Sequence, residues 1–189
     1  MLIERLRGTK CYGIGPIDRA TTEQAQNWRR DMGVFLHNLG VTFLDPTAKP
    51  KIIGLEAPSE SAESIKERHV LKQRGDYDTI SQIMRTIRRI DLRCCDVCDF
   101  AITHLDLDVY SVGTWEEVFW VNRLKKVNLV HIEQGKINTP DWLLGTISHK
   151  YIFDSWDEIK QYLMYIHTSE TIDSWDRWLL FDYASNSTA

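Results

Sequence analysis

The sequence predicts an α/β fold: a doubly wound sheet of five parallel strands with flanking helices, a helical insertion and a C-terminal helical extension. Three observations predict it. Short β-type runs alternate with longer stretches of helical period, and the strand-like runs end in turn signals such as Gly15-Pro16 and Asp45-Pro46. The length of 189 residues at 43% hydrophobic content suits one domain with a sizeable core rather than two.

Taken in order, the first strand is expected over residues 10–15, closed by Gly15-Pro16. A helix follows over 21–39, with Trp28, Met32, Phe35, Leu36 and Leu39 three and four residues apart and Gly40 stopping it. Residues 41–44 make the second strand. Pro, Lys and Gly mark 47–56 as a loop, after which 59–73 and 76–93 read as two polar helices. The third strand is expected over 97–105, a helix over 113–124, the fourth strand over 127–132 and the fifth over 149–153. The helix over 155–166 is capped by Ser155, with Asp157 and Glu158 in its first turn. This order is Rossmann- or flavodoxin-like. It places the α/β unit at 1–170, with the insertion at about 56–90, and the extension at 171–189, where Trp175, Trp178, Leu179, Leu180 and Phe181 form an apolar cluster that must pack on the domain or on a neighbouring subunit.

Composition excludes several function classes. With 27 acidic and 23 basic side chains the formal charge is -4, so no global positive field gathers polymeric nucleic acid or an anionic membrane. No apolar run has the length of a membrane span or a signal peptide, and a soluble cytoplasmic protein is expected. Three of the four cysteines bunch as Cys94, Cys95 and Cys98, which reads as buried reduced thiols rather than a disulfide framework. Cys95-x-x-Cys98 has no second Cys/His pair at ligand spacing, so no zinc is expected there. The basic residues Lys66, Arg68, Lys72, Arg74, Arg85, Arg88, Arg89 and Arg93 read as a solvated helix face; the functional alternative is a cover over a phosphate-bearing ligand.

Doubly wound sheets bind ligands beyond the carboxyl ends of their strands, where the strand order reverses. Gly15, Pro16, Ile17 and Asp18 follow the first strand, 106–114 the third and 133–138 the fourth. The most informative segment is Ser111-Val112-Gly113-Thr114-Trp115-Glu116-Glu117. Gly113 lets a ligand approach the backbone, amides at the helix start suit an anion such as a phosphate, and Ser111 adds a hydroxyl. The same residues also allow a purely structural reading, with Thr114 as N-cap and Glu117 as its reciprocal partner in a capping box.

Cys11-Tyr12-Gly13-Ile14-Gly15-Pro16-Ile17, then Asp91-Leu92-Arg93-Cys94-Cys95-Asp96, then Ser111-x-Gly113-Thr114-x-x-Glu117, then a strand ending Val130-His131-Ile132 follow one another in the chain. This ordered set resembles the nucleoside 2-deoxyribosyltransferase family and its relatives, the nucleoside 5'-monophosphate N-glycosidases, over about residues 10–132. The resemblance implies that Glu117 is a nucleophile attacking C1' of the sugar, that Tyr12 hydrogen-bonds Glu117 and keeps it ionised, and that Asp91 manages the leaving-group proton. It places Gly15, Pro16, Asp18, Ser111, Gly113 and Thr114 against the substrate. Nucleoside-specific members carry Asp where Ser111 stands and monophosphate-cleaving relatives carry Ser, so Ser111 favours a 2'-deoxynucleoside 5'-monophosphate. Water attacking the glycosyl-enzyme gives hydrolysis and a second base gives transfer. The resemblance implies no metal or organic cofactor, and a homo-oligomer in which a neighbour contributes to each site. Two alternatives remain: a non-catalytic nucleotide-binding or sensor module on the same fold, and flavodoxin-like electron transfer, which the absence of a Ser/Thr-rich loop after the first strand disfavours.

Overall fold

β1 (Lys10–Ile14) pairs with β2 (Thr42–Leu44) on one side and β3 (Phe100–Leu105) on the other. With β4 (Val127–Ile132) and β5 (Ile152–Phe153) they form an all-parallel sheet in the order β2-β1-β3-β4-β5, the doubly wound arrangement expected. This computed structural model describes residues 4–48, 58–170, 178 and 181. Among them are six α-helices: α1 (Thr22–Asn38), α2 (Ala62–Gln73), α3 (Tyr77–Val97), α4 (Val112–Arg123), α5 (Asp141–Leu144) and α6 (Trp156–Thr168). No described helix is long and apolar enough to cross a membrane.

β3 and β4 are buried at every position because helices cover both faces of the sheet's centre. Strand pairing places Tyr12 beside Ala101, and His104 beside His131. Since side chains alternate along a strand, Tyr12, Ala101 and Thr103 share one face, while Phe100, Ile102 and His104 share the other. α3 and α4 cover the Tyr12 face, where the hydroxyl of Tyr12 reaches Glu117 on α4. α1 and α6 cover the opposite face, and Trp28 and Trp156 from those two helices stack at 5.0 Å beside His104.

Local signals account for most boundaries. Thr21 and Gln24 form a capping box at the start of α1, and Gly40, at φ +74°, turns the chain into β2. Ser155 accepts from the Glu158 amide to cap α6. α3 overruns the expected helix as far as Val97, the first residue assigned to the third strand, because its buried stripe of Ile87, Ile90, Asp91 and Cys94 keeps helical spacing. The helix ends where Cys98 turns extended while donating its amide to the Cys94 carbonyl. α2 begins at Ala62 rather than 59, capped by Ser61. The fifth strand shortens to Ile152–Phe153 because His149–Tyr151 form a 3-10 turn capped by Ser148. α5, which follows Pro140, has too few residues to give a periodic signal. Pro46–Ala48 form a 3-10 turn; the rest of the expected loop, and Trp175, Leu179 and Leu180 of the tail cluster, lie outside the described residues.

Two tail residues are described. Trp178 is fully buried, packs its ring 5.3 Å from Phe100 and 5.6 Å from Phe181, and donates its indole N–H to the Tyr162 hydroxyl at 2.9 Å. The tail residue Trp178 therefore packs on this domain. Trp178→Ala removes a large fully buried side chain and is expected to lower stability by about 3–5 kcal/mol, read as a fall in the urea midpoint without a change in slope.

Candidate active site

The strand order reverses between β1 and β3, and a cavity of about 540 Å³ opens beyond their carboxyl ends on the α3/α4 face. Gly15, Asp18, Asp91, Ser111, Gly113, Thr114 and Glu117 all line it. Pro16 does not; it lines a smaller neighbouring cavity of about 170 Å³ that shares Ser111 and Thr114. Tyr12 lies fully buried beneath, on β1.

Glu117 is 9% exposed, and Tyr12 donates its hydroxyl to Glu117 Oε1 at 2.7 Å. Burial pushes the Tyr12 phenol well above its ordinary value, and the charges of Glu117 and Asp91 push it further, so Tyr12 remains a protonated donor. Asp91, also 9% exposed, sits on the buried stripe of α3. The capping-box alternative is not what forms. α4 starts at Val112 with Ser111 in the N-cap position, and Glu117 is turned toward Tyr12. Ser111 makes no side-chain cap bond; its hydroxyl pairs with that of Thr114 at 2.7 Å.

The two glycines differ in what they do. A Cβ on Gly113 would meet nothing within 4 Å, so this turn lies open to the cavity. A Cβ on Gly15 would come within 3.0 Å of the Trp28 ring and 3.1 Å of the Arg29 guanidinium, so glycine there serves close packing beneath the site.

Arg29, absent from the sequence-based site, lies below it with a fully buried guanidinium that donates to the carbonyls of Ala25, Gly13 and Gly15 and stands 3.9 Å from Asp45. Burial pulls its pKa down, while the charges of Asp45 and Glu117 favour the charged form. The available signal was an arginine on the apolar stripe of α1, between Ala25, Trp28 and Met32. Charge around the cavity is mixed. Arg88 forms an ion pair with Glu116, Arg19 lies over the Tyr110 ring, and Arg85 also lines the wall. Arg68, expected on a solvated face, is buried and reaches Asp18 at 3.6 Å and the Ser59 carbonyl at 3.3 Å, so Asp18 is tied to α2.

No protein-family model and no curated protein matches the sequence. Among solved structures, the chain is similar to the 2-deoxyribosyltransferase of Bacillus psychrosaccharolyticus, with a TM-score of 0.51 at 14% identity over 86% of this chain and 99% of that one. It is also similar to the CMP N-glycosidase of Clostridium botulinum, with a TM-score of 0.48 at 18% identity over 83% of this chain and 98% of that one. At such identity the likeness to the transferase establishes the fold.

The buried phenol makes a pH-dependent contribution. Unfolded, Tyr12 ionises near the ordinary value of 10.0; folded, it keeps its proton well above that. Stability therefore falls as pH rises past about 10, where the unfolded chain loses a proton that the folded chain holds. Tyr12→Phe is expected to lose about 1.5–3 kcal/mol at pH 7, as befits a buried hydrogen bond to a carboxylate, and to be spared that part of the alkaline decline. Denaturant titrations from pH 7 to 11 on both proteins measure it.

Proposed function

We propose that this chain cleaves the N-glycosidic bond of 2'-deoxynucleosides, with preference for their 5'-monophosphates, through a covalent glycosyl ester on Glu117. The observation that carries the proposal is Glu117 itself: a carboxylate at the floor of a cavity of nucleotide size, oriented by a fully buried Tyr12, with Asp91 on the same wall. Such a carboxylate has the surroundings of a positioned nucleophile. The fold shared with a 2-deoxyribosyltransferase is consistent with this reading.

In the first step a Glu117 oxygen bonds to C1', the C1'–N bond breaks, and its electron pair leaves with the base. Asp91 delivers or relays the proton that neutralises the departing base. Positive charge develops on the sugar in this transition state, and the adjacent carboxylate stabilises it. In the second step the oxygen of water, or a nitrogen of an acceptor base, bonds to C1', its proton passes to the ionised Asp91, and the ester bond returns its electrons to Glu117. Tyr12 holds its hydrogen bond throughout and stays protonated, so it positions the nucleophile without competing for the proton. Gly15 and Asp18 form one wall for the substrate, Gly113 and Thr114 the other, and Pro16 fixes the turn behind them.

The preference for a monophosphate rests on the start of α4. Its first turn holds no acidic residue, Ser111 spends no bond on capping, and Arg19 and Arg85 line the same cavity. A phosphate there meets a helix N-terminus, hydroxyls and guanidinium groups. Association of copies belongs to the same proposal, and the exposed side chains of Ile137 and Trp142 offer apolar surface for it.

Chromatography of free base released from deoxynucleosides and their 5'-monophosphates, with and without acceptor base, tests this function. Release from monophosphates without acceptor marks hydrolysis, and release only with acceptor marks transfer. Glu117→Gln is expected to lower release at least about 1000-fold while leaving nucleotide binding within a few-fold. Nucleotide binding with no release from any substrate would replace the proposal with the non-catalytic module. Ser111→Asp puts a carboxylate where the phosphate would sit and is expected to raise KM for monophosphates about tenfold or more, while sparing free nucleosides.

A further inference from the structure

On the sheet face opposite Glu117, we propose a binding site for one divalent transition-metal ion of the zinc type, held by His104, His131 and Glu133. β3 supplies His104, the parallel register sets His131 beside it on β4, and Glu133 follows directly after β4. The two Nδ1 atoms lie 3.1 Å apart, and His104 Nε2 lies 3.9 Å from Glu133 Oε2. One ligand atom from each residue falls within 4.8 Å of the others.

Two nitrogens bound to one tetrahedral zinc at about 2.0–2.1 Å stand about 3.3 Å from each other. The two Nδ1 atoms thus already hold nearly the spacing an ion requires, and the exposed Glu133 carboxylate, now nearer His104 Nε2, swings round to the Nδ1 side to complete the set. For an ion to take both Nδ1 atoms, the proton that now bridges them moves to Nε2 of its own ring, so both imidazoles ligate in their neutral form. Both rings are buried on rigid neighbouring strands, and a main-chain hydrogen bond at Asp154 also engages His131, the kind of outer contact that fixes a ligating imidazole.

A second observation is the cavity that His104 and Glu133 line. A space of about 310 Å³ between α1 and α6 is lined by His104, Glu23, Asp31, Asp106, Glu133 and Lys160, so carboxylates outnumber the ammonium four to one. That field draws a cation, and the space leaves a coordination position open to water or a small ligand. Arg29 opposes it from behind His104, with its guanidinium tied to the carbonyls of Ala25, Gly13 and Gly15. Two imidazoles and one carboxylate select zinc, cobalt or nickel over magnesium or calcium.

The test is independent of the Glu117 reaction. Chelator-treated protein is titrated with Co²⁺, followed by absorption, and with Zn²⁺ by equilibrium dialysis. The expected result is one ion per chain, with ligand-field bands and no thiolate-to-cobalt charge transfer, and with Zn²⁺ affinity at least about tenfold lower in Glu133→Gln and in His131→Asn. Glu133, with a side chain 55% exposed, tolerates substitution without threatening the core and decides the question if His131→Asn fails to fold. Less than one bound ion per chain, a thiolate band that moves the ion to the cysteines, or unchanged affinity in Glu133→Gln would overturn the site.

Discussion

A carboxylate at the position of Glu117 is nearly removed from water, and a charge so placed persists only if donors replace its hydration. Tyr12 supplies one, from the strand at the centre of the reversal. This bond joins β1 to α4 across the crevice and thereby fixes the floor of the cavity. Beneath it Arg29 binds the carbonyls of Gly13 and Gly15, so the strand end that carries Tyr12 is held from the α1 side as well. The geometry above follows from these two anchors. The Gly113 turn stands open, and Asp91 and the first turn of α4 line the same space.

Alternation along the strands divides the molecule's chemistry between two faces. Tyr12 and Glu117 belong to the α3/α4 side, and His104 and His131 to the side of α1 and α6. Glu117 lines the cavity on the first side and His104 the cavity on the second. Arg29 sits between them, close enough for its charge to act on Glu117 and on His104, so the proposed catalytic and metal sites share one buried cation.

Much of this was legible in the sequence because local rules agreed with the fold. Val127–Ile132 stands as a short run rich in Val, Leu and Ile between charged residues and forms β4 to the residue. The order of the Tyr12, Asp91 and Glu117 segments located three side chains that the fold brings to one crevice. The end of α3 was misread because Val97, β-branched, suits a strand as well as a helix, and the Cys98 amide bond to Cys94 closes the helix only after it. Arg29 carried a signal in its helical stripe that the motif order did not use. His104 and His131 become neighbours only through strand register, which is a long-range property. Arg68 was misassigned because α2 has little amphipathic pattern, so nothing local marked which of its basic residues turns inward.

The central claim is that Glu117 bonds covalently to the sugar. Its most direct test is peptide mass spectrometry of protein quenched in acid after mixing with a deoxynucleoside 5'-monophosphate whose sugar carries a 2'-fluorine, a substituent that slows breakdown of the glycosyl ester. The account predicts a sugar-phosphate adduct on the peptide containing Glu117, formed with stoichiometric release of base. Release of base at the same rate with Glu117 unmodified would contradict it.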